Sequence, residues 1–156
     1  MSAKLRIILD TNVWLDWLVF GDPAIAPISA AHAANRIEIL IDAPCEAELA
    51  RALAYDLGKR SPDAAAQASC LAECRRVVLR IESLLSEGES AQLLENGRAQ
   101  LPVCRDADDQ KFLEAALAAG ADFLITRDRA LLELAPRAGG QALPFRIVTP
   151  EEFSAG

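Results

Sequence analysis

Three aspartates stand where apolar runs give way to polar chain: Asp10 after IIL, Asp128 after LITR, and Asp109 at the head of QKFLEAALAAG. Carboxylates at such junctions can do two kinds of work. Each can cap a helix by accepting hydrogen bonds from its free amides. Grouped together, they can hold a hard divalent cation through oxygen. Glu48, one turn into the helix that begins DAPCEAELARAL, is a fourth candidate for such a group, and Asp106 and Asp108 crowd Asp109. Helix positions share a face when three or four apart, so Glu46 and Glu48 point differently. Glu48 flanks the stripe of Leu49 and Leu53 and is the better candidate.

Grouping has a cost that decides what else must be there. Two carboxylates about 5 Å apart at an effective dielectric near 20 repel by roughly 3 kcal/mol. Four of them make six pairs, on the order of 10 kcal/mol or more, which a marginally stable domain cannot carry. Either the acids lie apart, or some are protonated, or cations sit among them. Oxygen donors with no suitable histidine or cysteine favour Mg²⁺ or Mn²⁺ over zinc.

The elements that must position these residues follow from periodicity. Leu5–Leu9 reads as a strand buried on both faces, as in a parallel sheet. Val13–Phe20 and Ile25–Asn35 read as helices separated by Gly21-Asp22-Pro23, and Arg36–Ile41 as a second strand. Asp42 and Pro44 start the next helix. Ser61-Pro62-Asp63 opens another through about Ile81, and Leu84–Leu94 reads as a short one. Leu101–Arg105 is read as a short strand. A helix with Phe112, Leu113, Ala116 and Leu117 at core spacing then stops at Gly120. Ala121–Thr126 is a strand, Arg129–Leu134 a short helix, Gly139-Gly140 a loop and Phe145–Val148 a last strand. This alternation is α/β with a mainly parallel sheet. In right-handed units, strand carboxyl ends and helix amino ends share one edge, so Asp10, Asp109 and Asp128 can converge, with Glu48 in reach.

Composition narrows the class. The 156 residues fit one domain, 1–156, and the net charge of −7 argues against a broadly basic nucleic-acid surface. No apolar run approaches the roughly 20 residues of a membrane span, and the amino-terminal apolar stretch is too short for a signal peptide. A cytoplasmic chain without membrane attachment is expected. Cys45, Cys70, Cys74 and Cys104 are then reduced and read as small buried hydrophobes, and His32 as an ordinary helix residue.

LDTNVW, DAPCEAELARAL and above all RDADDQKFLEAALAAGADFLITRDRALL resemble the PIN-domain ribonucleases, in the branch of toxin components of toxin–antitoxin systems. FRIVTPEEF resembles the family's last strand and tail. The resemblance implies a three-layer α/β/α fold with a central, mainly parallel sheet. It also implies a hydrolase that cuts RNA phosphodiesters with Mg²⁺ or Mn²⁺. Asp10, Glu48, Asp109 and Asp128 fall on its catalytic acids; Asp10, Asp109, Asp128 and Asp106 are the candidate metal ligands, one ion on Asp10 and Asp109 with Glu48 in reach and a second near Asp128 or Asp106, which otherwise orients the other ligands. Thr126 and Asn12 are expected to hydrogen-bond the acids or water, and Arg127 and Lys111 to meet RNA phosphates. An antitoxin protein and a homodimer are the implied partners, although Trp14, Trp17 and Phe20 read as core before dimer face.

Two other classes compete. A phosphatase with an aspartyl nucleophile needs DxD, and Asn12 stands at the third position of DTN. A catalytically silent PIN-like binding module would keep the acids as a structural cluster.

Overall fold

An unbroken apolar strand has no polar face to turn outward, so it needs cover on both sides. In the computed structural model, which describes residues 4–85, 88, 92, 95, 101–135 and 143–155, β1 (Leu5–Leu9) has that cover. Ile7, Ile8 and Leu9 are each at most 2% exposed. β1 is the central strand of a sheet ordered β3-β2-β1-β4-β5, in which every pairing is parallel. The other strands are β2 (Ile37–Ile41), β3 (Val78–Arg80), β4 (Phe123–Ile125) and β5 (Arg146–Val148). Ile8 stands level with Leu40 on one side and with Leu124 on the other.

Helices flank this sheet in a three-layer α/β/α arrangement. Among the described residues they include α1 (Thr11–Leu15), α2 (Ala26–Ala33), α3 (Ala43–Leu53), α4 (Ala64–Val77), α5 (Ile81–Leu84), α6 (Gln110–Ala119) and α7 (Arg129–Leu132). Local chemistry sets their ends. Asp42 and Asp63 accept hydrogen bonds from the amides of Cys45 and Ala66 at 3.0 and 2.8 Å. Gly120 ends α6 at φ +61°, a left-handed turn that side chains resist, and the chain then turns into β4. α6 packs on β1 and β4, α2 on β2 and α7 on β5.

The chain lays β1, β2 and β3 outward in one direction, then returns to place β4 on the other side of β1. Connections therefore leave the carboxyl ends of β1 and β4 in opposite directions and open a crevice between them. Such a reversal is where open parallel sheets bind ligands.

Four sequence expectations need correction. The helix expected to run to Ile81 stops at Val77, because Val78–Arg80 pairs with β2 as an edge strand. β-Branched Val77 and Val78 favour that extended exit. No strand forms over 101–105; instead the Gln110 side chain accepts from the Cys104 amide at 2.7 Å and donates to the Pro102 carbonyl at 3.1 Å, meeting backbone needs a partner strand would otherwise meet. The helix expected over Val13–Phe20 is α1 followed by a wider π turn, Asp16–Phe20. The helix expected from Ile25 is preceded by a 3₁₀ turn, Pro23–Ile25. Leu84–Leu94 lies largely outside the described residues, and Gly139-Gly140 wholly so.

Trp14 is buried and stacks on half-buried Trp17 at 5.5 Å between ring centroids. Trp17 meets the His32 ring edge-on, and His32 Nε2 lies 3.1 Å from the Val77 carbonyl. Phe20 is half-buried against the same core. All four cysteines are free. Burial pushes the Cys45 and Cys74 thiols up, Cys74 to about 12, so neither is a ready thiolate.

Candidate functional site

The hydrogen-bond ladder of the sheet continues past its strand ends and delivers the acids. The Asp10 amide donates to the Ile125 carbonyl at 3.0 Å, and the Thr126 amide to the Val148 carbonyl at 2.9 Å. Asp10 is thus carried beside Thr126 at the mouth of the β1–β4 crevice. The Thr126 hydroxyl, wholly buried, donates to Asp10 Oδ2 at 2.6 Å and accepts from the Asp128 amide at 2.9 Å. One hydroxyl therefore sets the positions of two acids.

Capping does the rest. Asp10 accepts from the Asn12 amide at 3.3 Å and starts α1. Asp128 accepts from the Ala130 amide at 2.8 Å and starts α7. Asp106 accepts from the Asp108 amide at 3.0 Å and opens the 3₁₀ turn Ala107–Asp109 that leads into α6. Capping and clustering are not alternatives here: Asp106 and Asp128 each cap through one carboxylate oxygen while belonging to the acidic group, and Asp10 caps through Oδ1 while Thr126 holds its Oδ2.

Asp106, Asp109 and Asp128 each present an oxygen within 4.8 Å of the others. Oxygens around one Mg²⁺ or Mn²⁺ at about 2.1 Å lie roughly 3 Å apart when adjacent and 4.2 Å when opposite, so side-chain adjustments of about 1–2 Å bring the three onto one ion. Asp109 is buried, and its Oδ2 has no hydrogen-bond partner. A buried carboxylate oxygen without a donor costs free energy unless something else meets it. Oxygen-only donors with one such orphan fit a hard divalent ion.

Electrostatics agree with the crowding. Burial first, then the contact with Asp128 and repulsion from Asp10 and Asp106, push Asp109 up to about 7. Burial also raises Asp10, against the hydrogen bonds from Thr126 and Asn12; Asp128 and Glu48 add repulsion. Protonation is thus one of the ways this group relieves its charge.

A cation is another. Lys111 on the first turn of α6 donates from Nζ to Glu48 Oε1 at 2.7 Å, and the Thr11 hydroxyl donates to Glu48 Oε2. Both Glu48 oxygens are engaged. Thr11 and the Lys111–Glu48 pair were missed in the sequence, because side chains from α1, α3 and α6 meet only through the fold. The Asp-Thr-Asn turn puts Thr11 in the right type and place, but nothing local names its acceptor.

Two expected contributors sit differently from the rest. Asn12 reaches Asp10 through its backbone amide, and its side chain is exposed. Arg127 pairs with Asp16 at 2.9 Å, Glu151 at 2.6 Å and Asp22 at 3.6 Å. It ties the junction bearing Thr126 and Asp128 to the π turn and to the segment after β5. Glu46, the rival to Glu48, is buried and bound by Arg75 at 2.6 Å and by Arg80.

The PIN domain family model matches residues 6–130. Among solved structures, a chain of VapBC2 from Rickettsia felis, bound to a DNA fragment from its promoter, superposes with a TM-score of 0.56 at 13% identity. The match covers 93% of this chain and 98% of that one. No curated protein matches the sequence.

Proposed function

The chain belongs to the PIN domain family, and on that premise we propose that it is a divalent-metal-dependent endoribonuclease. It hydrolyses RNA phosphodiester bonds and serves as the toxin of a toxin–antitoxin pair. PIN domains are generally metal-dependent nucleases. The observation that carries the reading is the Asp106–Asp109–Asp128 group at the sheet's reversal point, with Asp109 Oδ2 unpartnered.

Asp106, Asp109 and Asp128 are assigned as the ligands of Mg²⁺ or Mn²⁺, with Asp10 completing the group. Such an ion supplies positive charge to the phosphodiester as it passes through its transition state, and acidifies a water. The chain's own residues do the positioning. Thr126 fixes Asp10 and the Asp128 backbone relative to each other. Thr11 and Lys111 hold Glu48 at the wall of the pocket, where it orients the attacking water. Lys111 keeps two ammonium donors beyond the one on Glu48, and these can meet an RNA phosphate. Arg127 reaches a phosphate only by giving up acids that now hold it.

The antitoxin rests on the likeness to VapBC2, a complex solved on promoter DNA. A homodimer, a single domain over 1–156 and a cytoplasmic location belong to the same proposal. Among the described residues no helix is long and apolar enough to cross a membrane.

The test is cleavage of RNA by purified protein in Mg²⁺ or Mn²⁺, by wild type and by Asp109→Asn. Cleavage that EDTA and the substitution both abolish is expected. Equal cleavage by the two proteins, or none by the wild type, would remove the proposal in favour of contamination or a binding-only module.

A further inference from the structure

Lys111 raises a question that the nuclease reading leaves open: how many ions the acidic pocket takes. Five carboxylates line it, those of Asp10, Glu48, Asp106, Asp109 and Asp128. Asp10 has hydrogen bonds on both oxygens, from Asn12 and Thr126, and the other four fall into two parts. Asp106, Asp109 and Asp128 gather oxygens within 4.8 Å of one another, and the buried Asp109 Oδ2 has no partner. That part is short of positive charge. Glu48 forms the other part, and it already has a cation: Lys111 Nζ is 2.7 Å from Oε1, with both side chains 21% exposed, while Thr11 holds Oε2.

A second divalent ion beside the Asp106–Asp109–Asp128 group would draw on Glu48, since both Asp10 oxygens already accept hydrogen bonds, from Asn12 and Thr126. An ion on Oε1 at about 2.1 Å would lie within roughly 5 Å of the Lys111 ammonium, by the sum of the two contacts. Like charges that close, in a partly desolvated pocket, repel strongly. Moving Lys111 away is constrained, because it springs from the first turn of α6, two residues after Asp109. The same turn therefore carries a ligand of the first ion and the occupant of the second ion's place.

We propose that Lys111 is a resident cation that takes the position of a second metal, making this a one-ion site. Its role is to neutralise and position Glu48. The inference rests on the metal-dependent reading given above.

Titration calorimetry with Mn²⁺ alone tests it, with Mn²⁺ electron paramagnetic resonance counting free ion in parallel. Wild type and Lys111→Arg are expected to bind one ion per chain, and Asp109→Asn none. Lys111→Gln is expected to gain a second ion, weaker than the first by about tenfold or more. Thermal melts of Lys111→Gln with and without Mn²⁺ show that it is folded, and Lys111→Arg separates loss of charge from loss of packing. Two ions on the wild type, or one ion on Lys111→Gln at unchanged affinity, would overturn the inference while the nuclease reading stands. No ion on the wild type would overturn both.

Discussion

Glu46 and Glu48 lie two residues apart on α3 and meet opposite surroundings. Glu46 is one buried acid between two guanidinium groups, those of Arg75 and Arg80. Charge there is balanced or in positive excess, and no oxygen lacks a donor. Glu48 lies in a pocket of acids where Lys111 is the close cation among the described residues. A hundred degrees per residue of helix twist separates a finished ion pair from an unfinished one. The lesson is that an acidic residue's burial says little by itself; the balance of its neighbourhood says whether it is holding the fold together or waiting for something else. Buried pairs that are complete contribute structure, and breaking one strands a charge. Groups with surplus charge are strained until a proton or a metal arrives.

The contrast can be broken most sharply at Asp109. Asp109→Asn should lower RNA cleavage by about 10²-fold or more, since it removes the central ligand of the assigned ion. Glu46→Gln should leave cleavage within a few-fold of wild type. Cleavage kinetics on the two variants side by side check this, and a deep loss in Glu46→Gln would erase the distinction between the regions. Thr126→Val comes next. It takes the hydroxyl from Asp10 and from the Asp128 amide, and Mn²⁺ affinity should fall about 10–100-fold, the usual cost of losing a group that orients ligands. Calorimetry reads it directly.

The acidic group should respond to pH in two opposite ways. Asp109 is raised to about 7 in the folded protein from an ordinary value near 3.8. The folded state therefore holds a proton that the unfolded chain releases. Its stabilising contribution is full below the ordinary carboxylate range and is lost as pH rises through about 7. Metal-free wild type should accordingly lose stability relative to Asp109→Asn between pH 5 and pH 8, by about 2–3 kcal/mol or roughly 4–12 °C in Tm. Mn²⁺ affinity should run the other way, rising up to about tenfold per pH unit below 7 as binding displaces that proton. Melting curves across pH, with and without Mn²⁺, test both directions. The smallest effect belongs to Glu46→Gln. Its arginine partners are well exposed, and a loss of only about 1 kcal/mol is expected, seen as a Tm lower by roughly 2–4 °C.

Asp10, Asp109 and Asp128 could be read as a group because each marks a chemical boundary, apolar strand into acid or acid into helix, and parallel topology then fixes the edge. The unbroken run of Ile7, Ile8 and Leu9 told of a strand covered on both faces, which is what β1 is. Periodicity failed where tertiary pairing decides. The residues of β3 continue a helical pattern, and only the open edge of β2 draws them into a strand. Leu101–Arg105 has strand composition, yet a glutamine side chain takes the backbone bonds. Partners were the least legible feature. Arg127 looked like a free cation beside the acids, but three carboxylates from two distant segments hold it. Lys111 and Thr11 converge on Glu48 from different helices, a contact that no spacing announces.

Anomalous diffraction from crystals soaked in Mn²⁺ would locate any ion at the carboxyl edge of β1 and β4 directly. A single manganese peak bounded by the side chains of residues 106, 109 and 128, with the Lys111 ammonium still on Glu48, is the expected result. Well-ordered carboxylates with no peak between them, in crystals that take up manganese elsewhere, would contradict it.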